Sequence, residues 1–353
     1  VALLAEALWR GVGDRLADAL LDAVQLARDG FRQLPSSAIY FSEPLADLIG
    51  ARFTGAARPI RRLSPNVFVC GGNAVVVRYA GPRQIAMIER RRFGRVYLVV
   101  DDDFAALHDQ DGLPADYRRR LLRYRDGAMA RLLDKVTHVV APSDRILSRY
   151  RGKSAIRLDP AQCHGAADLA HHRDDGGLDI VFAGTRSHLH DLDHVAESIA
   201  EFLRVRPDAR LTTFLNGHAP KVLKNLGNAI NHPAMSWPDY RAFVARNRFH
   251  VAIAPAMDTE FNRARSFNKL HDHAAYGAAG LYSRQAPFDM IVDHEESGLL
   301  LANDPGCWRD ALFDLAGRRD RVRAIAAAGQ DLSRRLGSQL RVREFWLREL
   351  GLN

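Results

Sequence analysis

The run "FHVAIAPA" (residues 249–256), followed by "FNRARSFNKLHDHAAYGAAG" (residues 261–280), decides how this chain folds. The first is a short apolar run that stops at a proline, as a buried strand does. The second sets Arg263, Arg265 and Lys269 at the start of a helical pattern that ends in alanines and glycines. A strand that hands the chain directly to a helix is the repeating unit of a parallel α/β sheet. Ligands of such sheets bind beyond the carboxyl ends of the strands. There the first helical turn offers free backbone N–H groups and the positive end of the helix dipole, which suit a diphosphate. Arg265 and Lys269 stand four residues apart and, on one helix, face the same anion. Ser266 caps that helix or bonds a phosphate oxygen. Asp272, three residues after Lys269, is placed to accept hydrogen bonds from a ribose. The competing reading is a surface helix with ordinary charges.

Outward from this stretch, strand and helix signals alternate in both directions. Upstream in the same half lie the strand "LDIVFAG" (178–184) with its glycine turn, a helix over 191–207 and the strand "ARLTTFLNG" (209–217). A helix follows over 237–247. Downstream come a short strand over 278–283, then a helical turn and a last strand within 287–304. The first half repeats the pattern: a strand over 73–80, a helix over 82–92, the strand "RVYLVVDDD" (95–103), a long helix over 114–136, and a strand and helix start within 137–150. Between the halves, "CHGAADLAHHRDDGG" (163–177) loses periodicity, which places a boundary there. Its histidines, His164, His171 and His172, have no firm element to fix them as metal ligands and read as polar linker residues. The fold class is therefore α/β: two Rossmann-like domains facing a cleft, over 1–165 and 178–335. A helix over 336–353 is expected to cross back onto the first domain.

Length and composition agree. At 353 residues the chain exceeds one ordinary core and suits two. No apolar run reaches the roughly 20 residues that span a bilayer. The first 24 residues, broken by Glu6, Arg10, Asp14, Arg15 and Asp18, read as an amphipathic helix and not a signal peptide. Starting on Val1 with no Met, the sequence is expected to be a trimmed one. Three widely spaced cysteines argue against a disulfide framework and against a CxxC metal site, and point to a reducing, cytoplasmic setting. The net charge of +8 favours anionic ligands. Much of it sits in "ERRRFGR" (89–95) and "YRRRLLRYR" (117–125). These read as solvated helix faces or as contacts with an anionic membrane surface. They lack the interleaved aromatics of a nucleic-acid site, so no nucleic acid is expected.

The stretch 261–308 resembles the donor-binding half of GT-B-fold glycosyltransferases, the family-4-like group of bacterial sugar transferases. That group typically reads F-N-x-x-K/R-S-x-x-K-x-x-E-Y-A-x-x-G-x-P, then S-x-x-x-P-Y, D-G-x-x-G-L-L-V and a tryptophan. Here Phe261, Asn262, Arg265, Ser266, Lys269, Ala274 and Gly277 match, as do Ser283, Pro287, Gly298, Leu299, Leu300 and Trp308. Weaker likeness extends over most of 95–315. Three positions depart: Asp272 stands for the ribose-binding glutamate, Ala279 for a proline, and Ala264 for a second glutamate eight positions before the ribose acid. The retaining outcome therefore does not carry over.

The resemblance implies transfer of a sugar from a nucleotide-activated donor to a glycan or lipid-linked acceptor, in bacterial surface polysaccharide synthesis. The first domain then binds acceptor and the second the nucleotide-sugar. No bound metal or other cofactor is implied, and the enzyme would work in the cytoplasm or peripherally at the inner membrane face. Arg265 and Lys269 would neutralise the leaving phosphate, facing Arg186 and the Gly184 turn. Ser266 and Asp272 would hold the donor, and the base would rest near Asn216. The acids after the strand at 95–99, Asp102 and Asp103 with Asp101, carry three readings: a metal-binding pair, an acceptor contact or general base, or caps and salt bridges to nearby arginines. His188, His190 and His194 are further cleft candidates. The alternatives in function are a nucleotide-sugar 2-epimerase of the same fold and a catalytically degenerate scaffold subunit.

Overall fold

The computed structural model describes residues 33–50, 58–107, 112–165, 167–173 and 176–352. The amphipathic stretch at the N-terminus lies outside these residues. Two sheets organise the rest. The first has seven strands in the spatial order of the chain: β1 Ile49–Gly50, β2 Ile60–Ser64, β3 Val67–Cys70, β4 Asn73–Val77, β5 Arg95–Val99, β6 His138–Ala141 and β7 Ser154–Arg157. Strands β4 to β7 are parallel, while β2, β3 and β4 meander antiparallel. The valines of β4, β5 and β6 are buried on both faces, as inner strands of a parallel sheet require. Register pairs Val77 with Val99 and Val99 with Val140, so the chain leaves all three strands on one edge. The β2–β3 hairpin turns at Pro65 and Asn66; it was not singled out from the sequence.

The second sheet is wholly parallel, in the order β10-β9-β8-β11-β12-β13. Its strands are β8 Asp179–Phe182, β9 Arg210–Thr213, β10 Ala229–Asn231, β11 Val251–Ala254, β12 Ala279–Ser283 and β13 Leu299–Leu301. From β8 the chain winds outward to β10, then returns to β11 beside β8 and winds the other way. The loops after β8 and β11 therefore diverge, and the crevice that opens between them is the position where doubly wound sheets take ligands.

Two of the contacts that join the domains bury apolar side chains across the boundary. The helix Gln339–Leu350, capped by Ser338, leaves the second domain and covers one face of the first sheet. Its Trp346 is fully buried against Phe41 and Tyr97 and donates from Nε1 to the Tyr40 carbonyl at 2.6 Å. The short helix Glu260–Ala264 of the second domain docks on the first: Phe261 and Ala264 join its core, and Ser143 Oγ donates to the Ala264 carbonyl at 2.7 Å. Two of the three linker histidines are anchors. His171 Nε2 lies 2.9 Å from the Phe249 carbonyl and His172 Nε2 lies 2.8 Å from that of Gly277.

Candidate functional site

A cleft of about 670 Å³ lies between the domains, at the crevice of the second sheet. From the first domain it is lined by Ser36, Arg78, Asp101, Asp102 and Tyr117. From the second come the turn after β8 (Gly184, His188), an aromatic wall (Phe214, Trp237, Tyr240) and the stretch after β11 (Arg265, Ser266, Asn268, Lys269, Asp272). Gly184 is required at its turn, because a Cβ there would run into the Phe182 ring.

The stretch after β11 is not one helix. It forms the helix Glu260–Ala264, breaks at Arg265 with φ −65° and ψ 162°, and resumes as Asn268–Tyr276. Burial of Phe261 and Ala264 in the first domain, and of Phe267 in the second, pulls the two turns apart. The helical four-residue spacing of Arg265 and Lys269 does not hold, yet both side chains enter the cleft. Ser266 is not a cap either. Phe267 stands at that position with no side-chain hydrogen bond, which leaves Ser266 on the cleft wall. Gly277, at φ 69°, closes the second helix in the left-handed conformation that glycine adopts freely.

Lys269 Nζ donates to the Ala183 carbonyl and, at 3.1 Å, to Asp272. Arg265 sits over the Phe261 ring at 4.7 Å, places NH1 2.8 Å from His188 Nδ1 and Nε 3.5 Å from Asp102 Oδ1. His188 is also 3.3 Å from Asp191, which accepts from the Met257 N–H and Asn262 Nδ2 at 2.9 Å each. His188, a cleft candidate from the sequence, lines the cleft and joins Asp191 to Arg265.

On the opposite wall Arg78 was missed. It follows β4 directly, in the left-handed region at φ 62°, a strain that buried neighbours must hold in place. Its guanidinium bonds Asp102 and lies 3.4 Å from Asp101. The strand run "NAVVVRYA" carried the only signal, a lone cation among apolar residues.

Five expected site residues stand elsewhere; His190 and His194 do not line the cleft, and His194 Nε2 lies 2.7 Å from the Asn303 carbonyl. Asp103 turns away from the cleft: its Oδ1 accepts from the Ala105 and Ala106 N–H groups and its Oδ2 meets Arg149 at 3.1 Å. Arg186 leaves the phosphate position to pair with Asp116 of the first domain at 3.1 Å. Asn216, at φ 47°, donates its backbone N–H to the His232 carbonyl and does not line the cleft. Phe214 and Trp237 hold that wall instead. Trp237 Nε1 and Asn268 Oδ1, both buried there, have no hydrogen-bond partner among the described residues. Among those residues no group of three His, Cys, Asp or Glu could hold a metal ion.

Burial, with Arg265 beside it, lowers the His188 pKa to about 4. Burial likewise takes His172 and His271 to about 4. These values lie below the ordinary 6.5, so between the two the unfolded chain binds more protons. Stability contributed by the neutral rings is present above pH 6.5 and lost as pH falls toward 4. Melting temperatures recorded across that window should fall steadily; a flat profile would contradict the burial.

No protein-family model matches the chain, and no curated protein matches it. Solved structures do. TarM is 12% identical and superposes with a TM-score of 0.55, covering 78% of this chain and 54% of its own. The pneumococcal O-GlcNAc transferase GtfA, in complex with UDP and GlcNAc, is 10% identical with a TM-score of 0.55, covering 82% and 62%. Anabaena HepE, in complex with UDP-glucose, is 10% identical with a TM-score of 0.55, covering 79% of each chain. The fold is GT-B. The chain spans about half the length of TarM. In GT-B terms the cleft described above is the interdomain cleft, and the turn after β8 and the stretch after β11 form its second-domain wall.

Proposed function

We propose that the protein is a glycosyltransferase that moves a sugar from a nucleotide-activated donor to a hydroxyl of a glycan or lipid-linked acceptor. One observation carries this reading: Gly184, Arg265 and Lys269 converge at the switch point of a parallel sheet, inside the cleft. That is an anion site made of a glycine turn and two cations. Arg265 and Lys269 meet the diphosphate, Asp272 the ribose, and Phe214 with Trp237 the base. Charge that grows on the departing diphosphate is stabilised by the two cations, which are held in place before reaction. Structures of the same fold are described with UDP, UDP-glucose and GlcNAc bound. A role in surface polysaccharide synthesis rests on the sequence resemblance.

Thermal shift with UDP, GDP and CMP, followed by an acceptor-free hydrolysis screen of nucleotide sugars, tests it. A nucleotide at a hundred times its dissociation constant stabilises the folded state by about 2.7 kcal/mol. Stabilisation by none of them overturns the reading. One observation favours a second reading, the degenerate scaffold: Arg265 is already engaged by Asp102 of the opposite domain. Absence of nucleotide binding is the result that reading expects.

Arg90, Arg91 and Arg92 are exposed at the end of the helix Pro82–Arg90 and beyond it. No described helix is long and apolar enough to cross a membrane. The first domain is proposed to meet an anionic membrane surface through this run, where each cation contributes about 1 kcal/mol. Sedimentation with phosphatidylserine vesicles should show binding at low salt that is lost as salt rises. Equal binding to neutral vesicles, or none at low salt, counts against it.

A further inference from the structure

Three carboxylates line the cleft, Asp101, Asp102 and Asp272, and their surroundings differ. Asp272 is tied to Lys269 at 3.1 Å. Asp102 stands between two guanidinium groups, those of Arg78 and Arg265. Asp101 has a single arginine, with Arg78 NH1 at 3.4 Å from Oδ1, while Oδ2 accepts a hydrogen bond from Ser36 Oγ. We propose that Asp101 is the general base that takes the proton of an acceptor hydroxyl entering the cleft from the first-domain side. This rests on the glycosyl-transfer reading and deepens it.

The groups around Asp101 support the assignment. Ser36 and Tyr40 face it from the segment 35–42, Arg78 from the end of β4, and Asp102 from its own loop. Burial raises the Asp101 carboxyl above its ordinary range and Asp102 adds to this, against the pull of Arg78. Burial works on Asp102 too, but Arg78 and then Arg265 outweigh it and hold that carboxyl low. Two carboxylates driven apart in this way divide their roles. Asp102 stays charged and fixes both arginines, and Asp101, with a single arginine and its carboxyl raised by burial, is the one left to take up the acceptor's proton. His188, the other base on the wall, cannot serve. A proton on it would set an imidazolium against Arg265 at 2.8 Å.

The step balances without a further reagent. The acceptor O–H proton passes to Asp101, and the electron pair of that bond makes the new bond to the anomeric carbon. The bond from the anomeric carbon to the donor phosphate oxygen breaks, and its pair leaves on the nucleotide, toward Arg265 and Lys269 on the opposite wall. Asp101 then returns its proton to solvent.

The test combines Asp101→Asn with Ser36→Ala. General-base removal costs on the order of a hundred- to ten-thousandfold. Asp101→Asn should lower kcat by that range at saturating donor and acceptor. Its affinity for UDP, GDP or CMP, measured by calorimetry, should stay as in the wild type. The acidic limb of the kcat/KM–pH profile should vanish. Ser36→Ala keeps the carboxylate but removes a hydrogen bond that lowers its pKa, so its acidic limb should move to higher pH. The second variant decides the matter if the first fails to fold. Near-normal turnover in Asp101→Asn, or an unmoved limb in Ser36→Ala, overturns the proposal and leaves glycosyl transfer standing. A wild type that binds none of the three nucleotides overturns both.

Discussion

Replacing Lys269 or Arg265 by alanine is expected to slow turnover by on the order of a hundred- to a thousandfold, about 2.7–4 kcal/mol of transition-state stabilisation. Charge on the leaving nucleotide grows as the sugar departs, so a cation aimed at it acts more on the transition state than on bound donor. Neither side chain is free to reorganise at that moment. Lys269 is held by the Ala183 carbonyl and Asp272, and Arg265 by Phe261, His188 and Asp102. Asp272→Asn should behave differently. A ribose contact made equally in ground and transition states raises the donor KM and leaves kcat nearly unchanged. Steady-state kinetics on folded variants separates the two patterns. Near-normal turnover in both cation variants would remove them from the chemistry.

The second large effect concerns stability. Trp346→Ala should destabilise the first domain by about 3–5 kcal/mol, the usual cost of emptying a large aromatic site. The indole is fully buried, meets Phe41 edge-on at 4.9 Å between ring centres and carries the hydrogen bond to the Tyr40 carbonyl. Tyr40 belongs to the segment that brings Ser36 to the cleft, so the loss should also reach the site. Urea unfolding followed by fluorescence reads the change. A difference under about 1 kcal/mol would match an ordinary surface substitution and not a buried anchor.

These residues show what the sequence could reveal. The apolar runs of β5, β8, β11 and β12 were legible because parallel inner strands are continuous in Val, Ile, Leu and Ala. From them came the two α/β sheets. The approach of Arg265, Lys269 and Asp272 was legible because strand ends and helix starts are local signals. The break at Arg265 was not. It is imposed by Phe261 and Ala264 packing into a domain more than a hundred residues earlier in the chain. Arg78 was hidden for a similar reason: only the pairing of β4 with β5 sets it beside Asp101 and Asp102. Asp103, adjacent to them in sequence, is diverted by a turn it caps itself. The hairpin β2–β3 did carry a signal, Pro65 and Asn66 between two apolar runs.

On the proposed function, the second-sheet crevice holds a nucleoside diphosphate between Arg265 and Lys269. A crystal structure with the diphosphate chosen by thermal shift tests this most directly. Phosphate oxygens are expected within hydrogen-bond distance of Lys269 Nζ and the Arg265 guanidinium, with the ribose at Asp272. A diphosphate bound elsewhere in the cleft, away from both cations, would contradict it.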